Sequence, residues 1–420
     1  MCYCFGMRTS PVADLTDAPS NSVQVAYALH YDTATVIERC CALLGGIAPV
    51  LLLVFCGGKH DPAAALTALR SAYGAVPVVG GSAAGAMGGG ELGYSGMEVG
   101  IVAFTAAGPV PQVHVTHGLL DGEAEAGEAL ARAVAGQAAD DAVVLLFFDS
   151  VASTAPLRLH HASAIVDGFH AGLGGKRVNL IGGGLLTDMN LSDGWVFDGE
   201  GVSKHSAVAL VFPPAVKAET TVMHGCRPVS SFMRITRIDG AVVHELDGEP
   251  ALAVIERMLG LRLGSTDGSD LSLVATLGEK HGDPFAPYDE NAYVNRLILG
   301  ANRSNGSITL FEPDFREGAR VQIMARDNAL MLDSVRQGTA AARARSPAAK
   351  PFLGLYIDCA GRASARSGAP FEEAALMMQD LHASFPLLGF YSGVEIAPFG
   401  SYSRPLDWTG VLTVLTQAAP

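Results

Sequence analysis

Charge is scarce in this 420-residue chain: Asp, Glu, Lys and Arg make up 17% of it, against 49% hydrophobic residues. That composition excludes a disordered chain and supports extensive burial. Basic residues are scarcer than acidic ones, 28 against 42, and the net charge of −14 repels a phosphate backbone or an anionic bilayer at long range. Nucleic acid is not an expected partner. The basic residues of AARARSPAAK (341–350) sit among alanines and read as a solvated helix end. No stretch approaches the roughly 18 apolar residues of a spanning helix. The opening MCYCFGMRTS has no charged n-region followed by an apolar h-region, so a cytoplasmic protein with no membrane partner is expected. The seven cysteines (Cys2, Cys4, Cys40, Cys41, Cys56, Cys226 and Cys359) are odd in number and include no Cys-x-x-Cys pair, which excludes a disulfide framework or zinc knuckle as the organising device.

Nucleotide and hydrolase signatures are missing too. No Walker A sequence occurs, and no strand-linked Gly-x-Gly-x-x-Gly is followed by an acidic residue about 20 positions on. The run Gly80-Gly81-Ser82-Ala83-Ala84-Gly85 displaces the second glycine of a nucleophile elbow by one position.

What is present is a pattern written three times. PVLLLVFCGG (49–58) reads as a strand buried on both faces. A helix follows, with Asp61 as N-cap, Pro62 at the first position and Leu66, Leu69 and Tyr73 on one face. VPVVGGSAAG is a strand running into glycines, and MEVGIVAF a closing strand. The second copy runs from DAVVLLFFDSV through a helix marked by Ile165, Val166, Phe169 and Leu173 to VNLIGGGLLTD and SAVALVF. The third comprises PFLGLYIDCAGR, a helix striped by Phe371, Ala374, Met378, Leu381 and Phe385, then PLLGFYSGVEIAP and WTGVLTVLT. A degenerate fourth copy is read from AVVHELDG to YVNRLILGA. Turn dipeptides Asp239-Gly240 and Asn305-Gly306 predict antiparallel hairpins between the second and third copies. The fold class expected is therefore α/β, with duplicated strand-helix-strand-loop-strand units in mixed sheets and antiparallel hairpins in the C-terminal half. Pro213 and Pro214 place a domain boundary near residue 218, between a two-repeat domain (23–218) and a second domain (219–420), after a flexible tail (1–22).

These segments resemble the FIST family, with its paired N-terminal and C-terminal domains. The likeness is carried by VPVVGGSAAG, the IGGG at Ile181, GCRPVSSFMRITRIDGAVVHELDGEPAL (225–252), CAGR at Cys359 and GFYSGVEIAP (389–398). It implies a sensory module that binds a small ligand, with amino acids as the ligand class and, in one bacterial subgroup, haem as a nitric oxide receptor. Gly81 stands where cysteine is common in the family, and Val394 where glycine is common. With no room for an output module, a separate histidine kinase or other signalling protein is the implied partner. A haem-binding nitric oxide sensor and a biosynthetic enzyme reusing the same cleft are the alternative functions.

The candidate ligand-binding residues follow from the strand ends. Gly80, Gly81 and Ser82, with Gly182, Gly183 and Gly184, are expected to offer backbone N–H groups to a carboxylate. Cys359 and Arg362 end the first strand of the third copy, and Arg362 is expected to hold an anionic ligand or to pair with Glu395. Tyr391 is placed to cover a ligand, and Arg227 and Asp247 to fasten one domain to the other. No metal triad emerges among the twelve histidines; were haem bound, His224 and His161 are the candidate axial ligands.

Overall fold

The computed structural model describes residues 22–260, 274–345, 350–400 and 402–417. The tail expected at 1–22 lies outside them except for Ser22, as do 261–273 of the fourth copy and 346–349 of the basic segment.

Regular structure begins with β1 (Val23–Leu29), α1 (Thr33–Leu43), β2 (Pro49–Gly57), α2 (Pro62–Tyr73) and β3 (Val78–Ala83). A short hairpin, β4 (Ala86–Gly88) and β5 (Glu91–Gly93), leads to β6 (Glu98–Thr105). The same order then recurs: β7 (Gln112–His117), α3 (Glu123–Ala135), β8 (Ala142–Asp149), a local pair β9 (Val151–Thr154) and β10 (Leu157–Leu159), and α4 (Ala162–Gly172). It closes with β11 (Val178–Leu185), β12 (Val196–Gly199), β13 (Val202–Ser203) and β14 (Ser206–Val211). The third copy opens on β15 (Val216–Met223) and is interrupted. Into it is inserted an antiparallel sheet of β16 (Arg227–Pro228), β17 (Met233–Asp239), β18 (Val242–Leu246), β19 (Glu249–Pro250), β20 (Ala275–Lys280), β21 (Tyr293–Asn302), β22 (Ser307–Leu310) and β23 (Arg320–Ala325), with α5 (Ala251–Leu259). The copy resumes with α6 (Asn328–Ala344), β24 (Lys350–Cys359), the single turn α7 (Ser364–Ser367) and α8 (Glu373–Leu381). It ends with β25 (Leu387–Ser392), β26 (Glu395–Phe399), β27 (Tyr402–Leu406) and β28 (Gly410–Gln417).

The α/β class and the mixed sheets are as expected, and each repeat is longer than the pattern read from the sequence. A leading strand and helix precede it: β1 and α1, β7 and α3, β15 and α6. Three six-stranded sheets result, ordered β1-β6-β2-β3-β12-β13, β7-β14-β8-β11-β26-β27 and β15-β28-β24-β25-β4-β5. In each, four strands come from one repeat and two are the hairpin of another, so the repeats are interlocked by a cyclic exchange. Among the described residues, parallel pairing is confined to β2 with β3, β8 with β11 and β24 with β25.

The inner faces of the three sheets meet in one core. Leu51, Leu53 and Phe55, Val143, Leu145 and Phe147, and Leu353, Leu355 and Ile357 alternate into it along equivalent strands. The outer faces are covered by helix pairs, α1 with α2, α3 with α4, and α6 with α8, through residues such as Leu66 and Leu69, Leu130 and Phe169, and Val335 and Met378. The α2 helix is the one expected: Asp61 Oδ1 accepts from Ala64 N at 2.8 Å, and Gly74 ends it at φ 76°.

The glycine runs are strand residues rather than loops. A Cβ on Gly183 would lie 2.7 Å from the Val394 carbonyl oxygen, and one on Gly81 2.3 Å from that of Trp195. Only glycine lets the exchanged hairpins pass so close. Three equivalent hydrogen bonds record the crossings: Ser82 N to Trp195 O at 3.1 Å, Gly184 N to Val394 O at 2.9 Å and Tyr391 N to Gly85 O at 3.0 Å. Where the first two repeats have Gly81 and Gly183, the third has Phe390, whose ring stacks on Phe55 with centroids 4.0 Å apart.

Two readings change. The segment taken as a fourth copy folds as β18, α5, β20 and β21, and its pairings are antiparallel, so it completes a hairpin sheet. Phe371 precedes α8 and is 63% exposed, whereas Ala374, Met378 and Leu381 are buried as expected. The inserted sheet is tied back to the repeats by Glu312. Its carboxylate accepts from Ala162 N (3.1 Å), Ser163 N (2.9 Å) and Ser163 Oγ (2.7 Å) and so caps α4 from another part of the chain.

Candidate functional site

Between the inserted sheet and the third repeat lies a cleft of about 530 Å³. It opens outside the carboxyl ends of β24 and β25, where Cys359, Ala360, Gly361, Ser392 and Gly393 form its floor. That is the usual place for a ligand in a sheet with parallel strands. Leu186, Met189 and Leu191, which follow β11, make one apolar wall, and Leu297, Leu299 and Phe311 of the insertion make the other. Arg326, Arg366, Asp407 and Trp408 supply the polar groups and the ring, with the Arg326 guanidinium stacked over Trp408. Burial pulls the Arg326 guanidinium down to about 9, against attraction from the two nearby thiols.

Beneath the floor lies a cluster of buried charge. Arg362 is fully buried, and its partner is Glu373 at the start of α8, which it grips bidentately, with Asp358 Oδ1 at 3.1 Å from Nε. Its Nη1 donates to the carbonyls of His224 (3.2 Å) and Trp408 (3.1 Å). Thus the ion pair expected with Glu395 is replaced by one with Glu373: α8 brings a carboxylate directly over the strand end. The guanidinium is spent on holding β15, β28 and α8 together. Burial, then repulsion from Glu373, pushes the Asp358 carboxyl well above the usual range.

Glu395 is equally buried and accepts from Thr409 N at 3.2 Å, while its Oε1 lies 2.6 Å from Ser392 Oγ. The serine hydroxyl has one proton, and the Asp358 carbonyl stands 3.1 Å away to accept it. Burial raises the Glu395 carboxyl well above its ordinary value. Cys359 lines the cleft at 6% exposure, its thiol pushed well up by burial and by Glu395.

The other expected site residues are dispersed. Gly80, Gly81 and Ser82 lie within β3, and Gly182, Gly183 and Gly184 within β11; all six are buried and none lines the cleft. Ser82 is turned to Trp195, accepting from its N–H at 3.2 Å. Tyr391 is fully buried, its hydroxyl donating to Glu372 at 2.7 Å. Arg227 stacks on Tyr288 and Asp247 accepts from Arg234 N at 2.8 Å, so these two do not pair with each other.

The two histidines expected to serve were haem bound, His224 and His161, lie away from the cleft. His224 Nε2 bonds the Glu290 carbonyl at 2.9 Å and Nδ1 accepts from Cys226 N at 2.9 Å, which commits both ring nitrogens. His161 is the N-cap residue of α4, and neither histidine lines the cleft. Among the described residues no group of three or more His, Cys, Asp or Glu could hold a metal ion, and no helix is long and apolar enough to cross a membrane.

Asp407, Trp408, Arg326 and Arg366 were missed from the sequence. The available signal was Asp407-Trp408 before the last strand, since Trp408 is one of two tryptophans in the chain.

Comparison with known proteins supplies the family. Residues 50–249 match the FIST N domain and residues 251–398 the FIST C domain. The chain belongs to the FIST family. FIST domains are small-ligand sensory domains of signalling proteins. An uncharacterized protein of Mycobacterium tuberculosis is 28% identical to this FIST protein over 201 residues, 48% of this chain and 51% of its own length. An uncharacterized protein of Mycobacterium bovis is 29% identical over 193 residues, 46% and 49% of the two chains. The match thus spans about half the length of these relatives. Among solved structures, the cyanuric acid hydrolase of A. caulinodans is similar with a TM-score of 0.36 and 10% identity, covering 95% of this chain and 99% of that one.

Proposed function

We propose that this FIST protein is a cytoplasmic sensor whose small ligand occupies the cleft between the inserted sheet and the third repeat, and that it signals through a separate partner such as a histidine kinase. One observation carries the reading: the cleft unites six apolar side chains with a polar end at the carboxyl ends of parallel strands. Its volume of about 530 Å³ lies in the ordinary range of small-molecule sites. The walls come from two parts of the chain, so a ligand that touches both stabilises their docking, which is the change a partner can read.

The test is thermal melting with a panel of the common amino acids. A ligand at 100 times its Kd stabilises by about 2.7 kcal/mol and raises the melting temperature. The same rise should vanish in Leu299→Arg, which places a charge in the apolar wall. A panel without any stabilising member, or one whose effect survives Leu299→Arg, rejects the cleft as the amino-acid site.

A further inference from the structure

Three parts of the chain meet where the inserted sheet docks, and a cluster of charge lies between them. From the insertion come Arg296 on β21 and, in the turn after β22, Glu312 and Asp314. From the third repeat come Arg404 on β27, at the rim, and Asp407 just after that strand. The second repeat contributes the start of α4, whose Ala162 and Ser163 N–H groups end on Glu312. Arg296 is fully buried, Glu312 is 1% exposed and Asp407 3%. Three carboxylates thus share two guanidiniums, and Asp314 takes the close contacts of both, from Arg296 Nε at 2.6 Å and Arg404 Nη2 at 3.0 Å. Arg296 comes only within 3.8 Å of Asp407 Oδ1, and among the described residues Glu312 forms no ion pair. With all five ionised the junction holds one uncompensated negative charge, which a single proton neutralises.

The docked arrangement accommodates that proton. Ser163 Oγ donates to Glu312 Oε2 at 2.7 Å, and the hydroxyl can accept instead once the carboxyl is protonated, so the cap on α4 survives. Asp407 Oδ2 accepts from Leu297 N at 2.9 Å, while Oδ1 receives no hydrogen bond and takes a proton without displacing one. Burial pushes both carboxyls up to about 7 against the pull of Arg296; Asp314 raises both, and Glu312 raises Asp407 further. Glu395 and Arg326 stand on the Asp407 side. Asp167, Arg316 and the Glu279–His281 pair stand on the Asp314 side, and His161 is the N-cap of α4. Because the two raised carboxyls hold protons more tightly docked than free, a rise in pH through 7 favours the undocked state.

We propose that this cluster is a proton-operated clasp: one shared proton holds the inserted sheet against the second and third repeats, and its loss loosens that docking. The cleft wall moves with the clasp, since Leu297 is held by Asp407, Phe311 precedes Glu312, and both Leu297 and Phe311 line the cleft. Control of a ligand at that wall rests on the cleft being the ligand site; the clasp itself does not.

Amide hydrogen exchange of the full chain without ligand reads the docking, as protection factors corrected for intrinsic rates at pH 6 and pH 8. Leu297, Ala162 and Ser163, whose N–H groups end on the clasp, should lose about 10-fold in protection over that range, the effect of one proton released near 7. Ser82 and Gly184, bonded at the crossings between repeats, should change by less than about 2-fold. Glu312→Gln keeps an oxygen for Ala162 N and removes the surplus charge, so the pH dependence should disappear. Unchanged protection at the three amides, an equal fall at Ser82 and Gly184, or a pH dependence that survives Glu312→Gln would each overturn the clasp. Should the glutamine variant fail to fold, the two sets of amides in the unsubstituted chain still decide it.

Discussion

The strand ends of the first and third repeats share a backbone plan and differ in what they bury. Both β3 and β25 receive a hairpin from another repeat through equivalent hydrogen bonds, from Ser82 N to Trp195 O and from Tyr391 N to Gly85 O. In the first repeat the close is made by small groups: a Cβ on Gly58 would lie 2.3 Å from the Thr187 carbonyl oxygen, and Ser82 is satisfied locally. Its buried acid, Glu98, accepts from Ser95 N at 2.8 Å and Gly96 N at 2.9 Å. The third repeat buries Asp358, Arg362, Glu373, Glu395 and Asp407 at and around the same place. It is also the repeat whose first strand and first helix are separated by the inserted sheet. A repeated scaffold makes its strand ends alike in geometry; the one with a second wall and unlike residues is where chemistry collects.

The sharpest way to break this contrast is Arg362→Ala. It leaves Glu373 and Asp358 buried without their cation, and loss of one member of such a cluster costs about 3–5 kcal/mol. Urea denaturation should show the loss; a change below about 1 kcal/mol would mean that the cluster is not what holds the third repeat. Next in size is Gly81→Ala in the first repeat. Its Cβ would meet the Trp195 carbonyl at 2.3 Å, at φ 153°, so the exchanged hairpin must shift, at about 1–3 kcal/mol by the same measurement. An unchanged midpoint would show that the crossing tolerates a side chain, as the third repeat does at Phe390.

The last effect is electrostatic and distinguishes the acids. Burial raises the Asp407 and Glu312 carboxyls to about 7, above their unfolded values. The folded state therefore holds protons that the unfolded state has released, and stability falls as pH rises from about 4 through 7. Each group contributes at most about 1.4 kcal/mol per pH unit. Asp314 works in the opposite direction: despite burial, Arg296 and Arg404 hold it down to about 2, so its contribution is present above the unfolded value and lost as pH falls toward 2. Melting curves from pH 5.5 to 8 should decline, and Asp407→Asn should make the decline shallower; a rise over that range would contradict the assignment.

Much of the architecture was legible because it is periodic. The helix from Asp61 to Gly74 follows from a cap, a proline and leucines at helical spacing, and DAVVLLFFDSV from an unbroken apolar run. The leading elements were not: β1 alternates over only seven residues, and α3 is rich in alanine, so neither stands out as an apolar run. The glycines were seen but taken for loops, since glycine signals a turn and a close strand crossing with the same residue. At the site, Cys359 was found because it ends an apolar strand. Asp407 was not, because nothing local marks a carboxylate that becomes special only by burial.

By itself, then, the sequence determined the repeat, its α/β class, its helix caps and its family likeness, all of which depend on neighbours a few residues apart or on recurring spacing. Tertiary structure alone decided that hairpins exchange between repeats, that Arg362 takes Glu373 rather than Glu395, and that Asp407 is buried with one oxygen receiving no hydrogen bond. Those outcomes depend on which groups share a buried, weakly screening space, and that is set by chain segments far apart in the sequence.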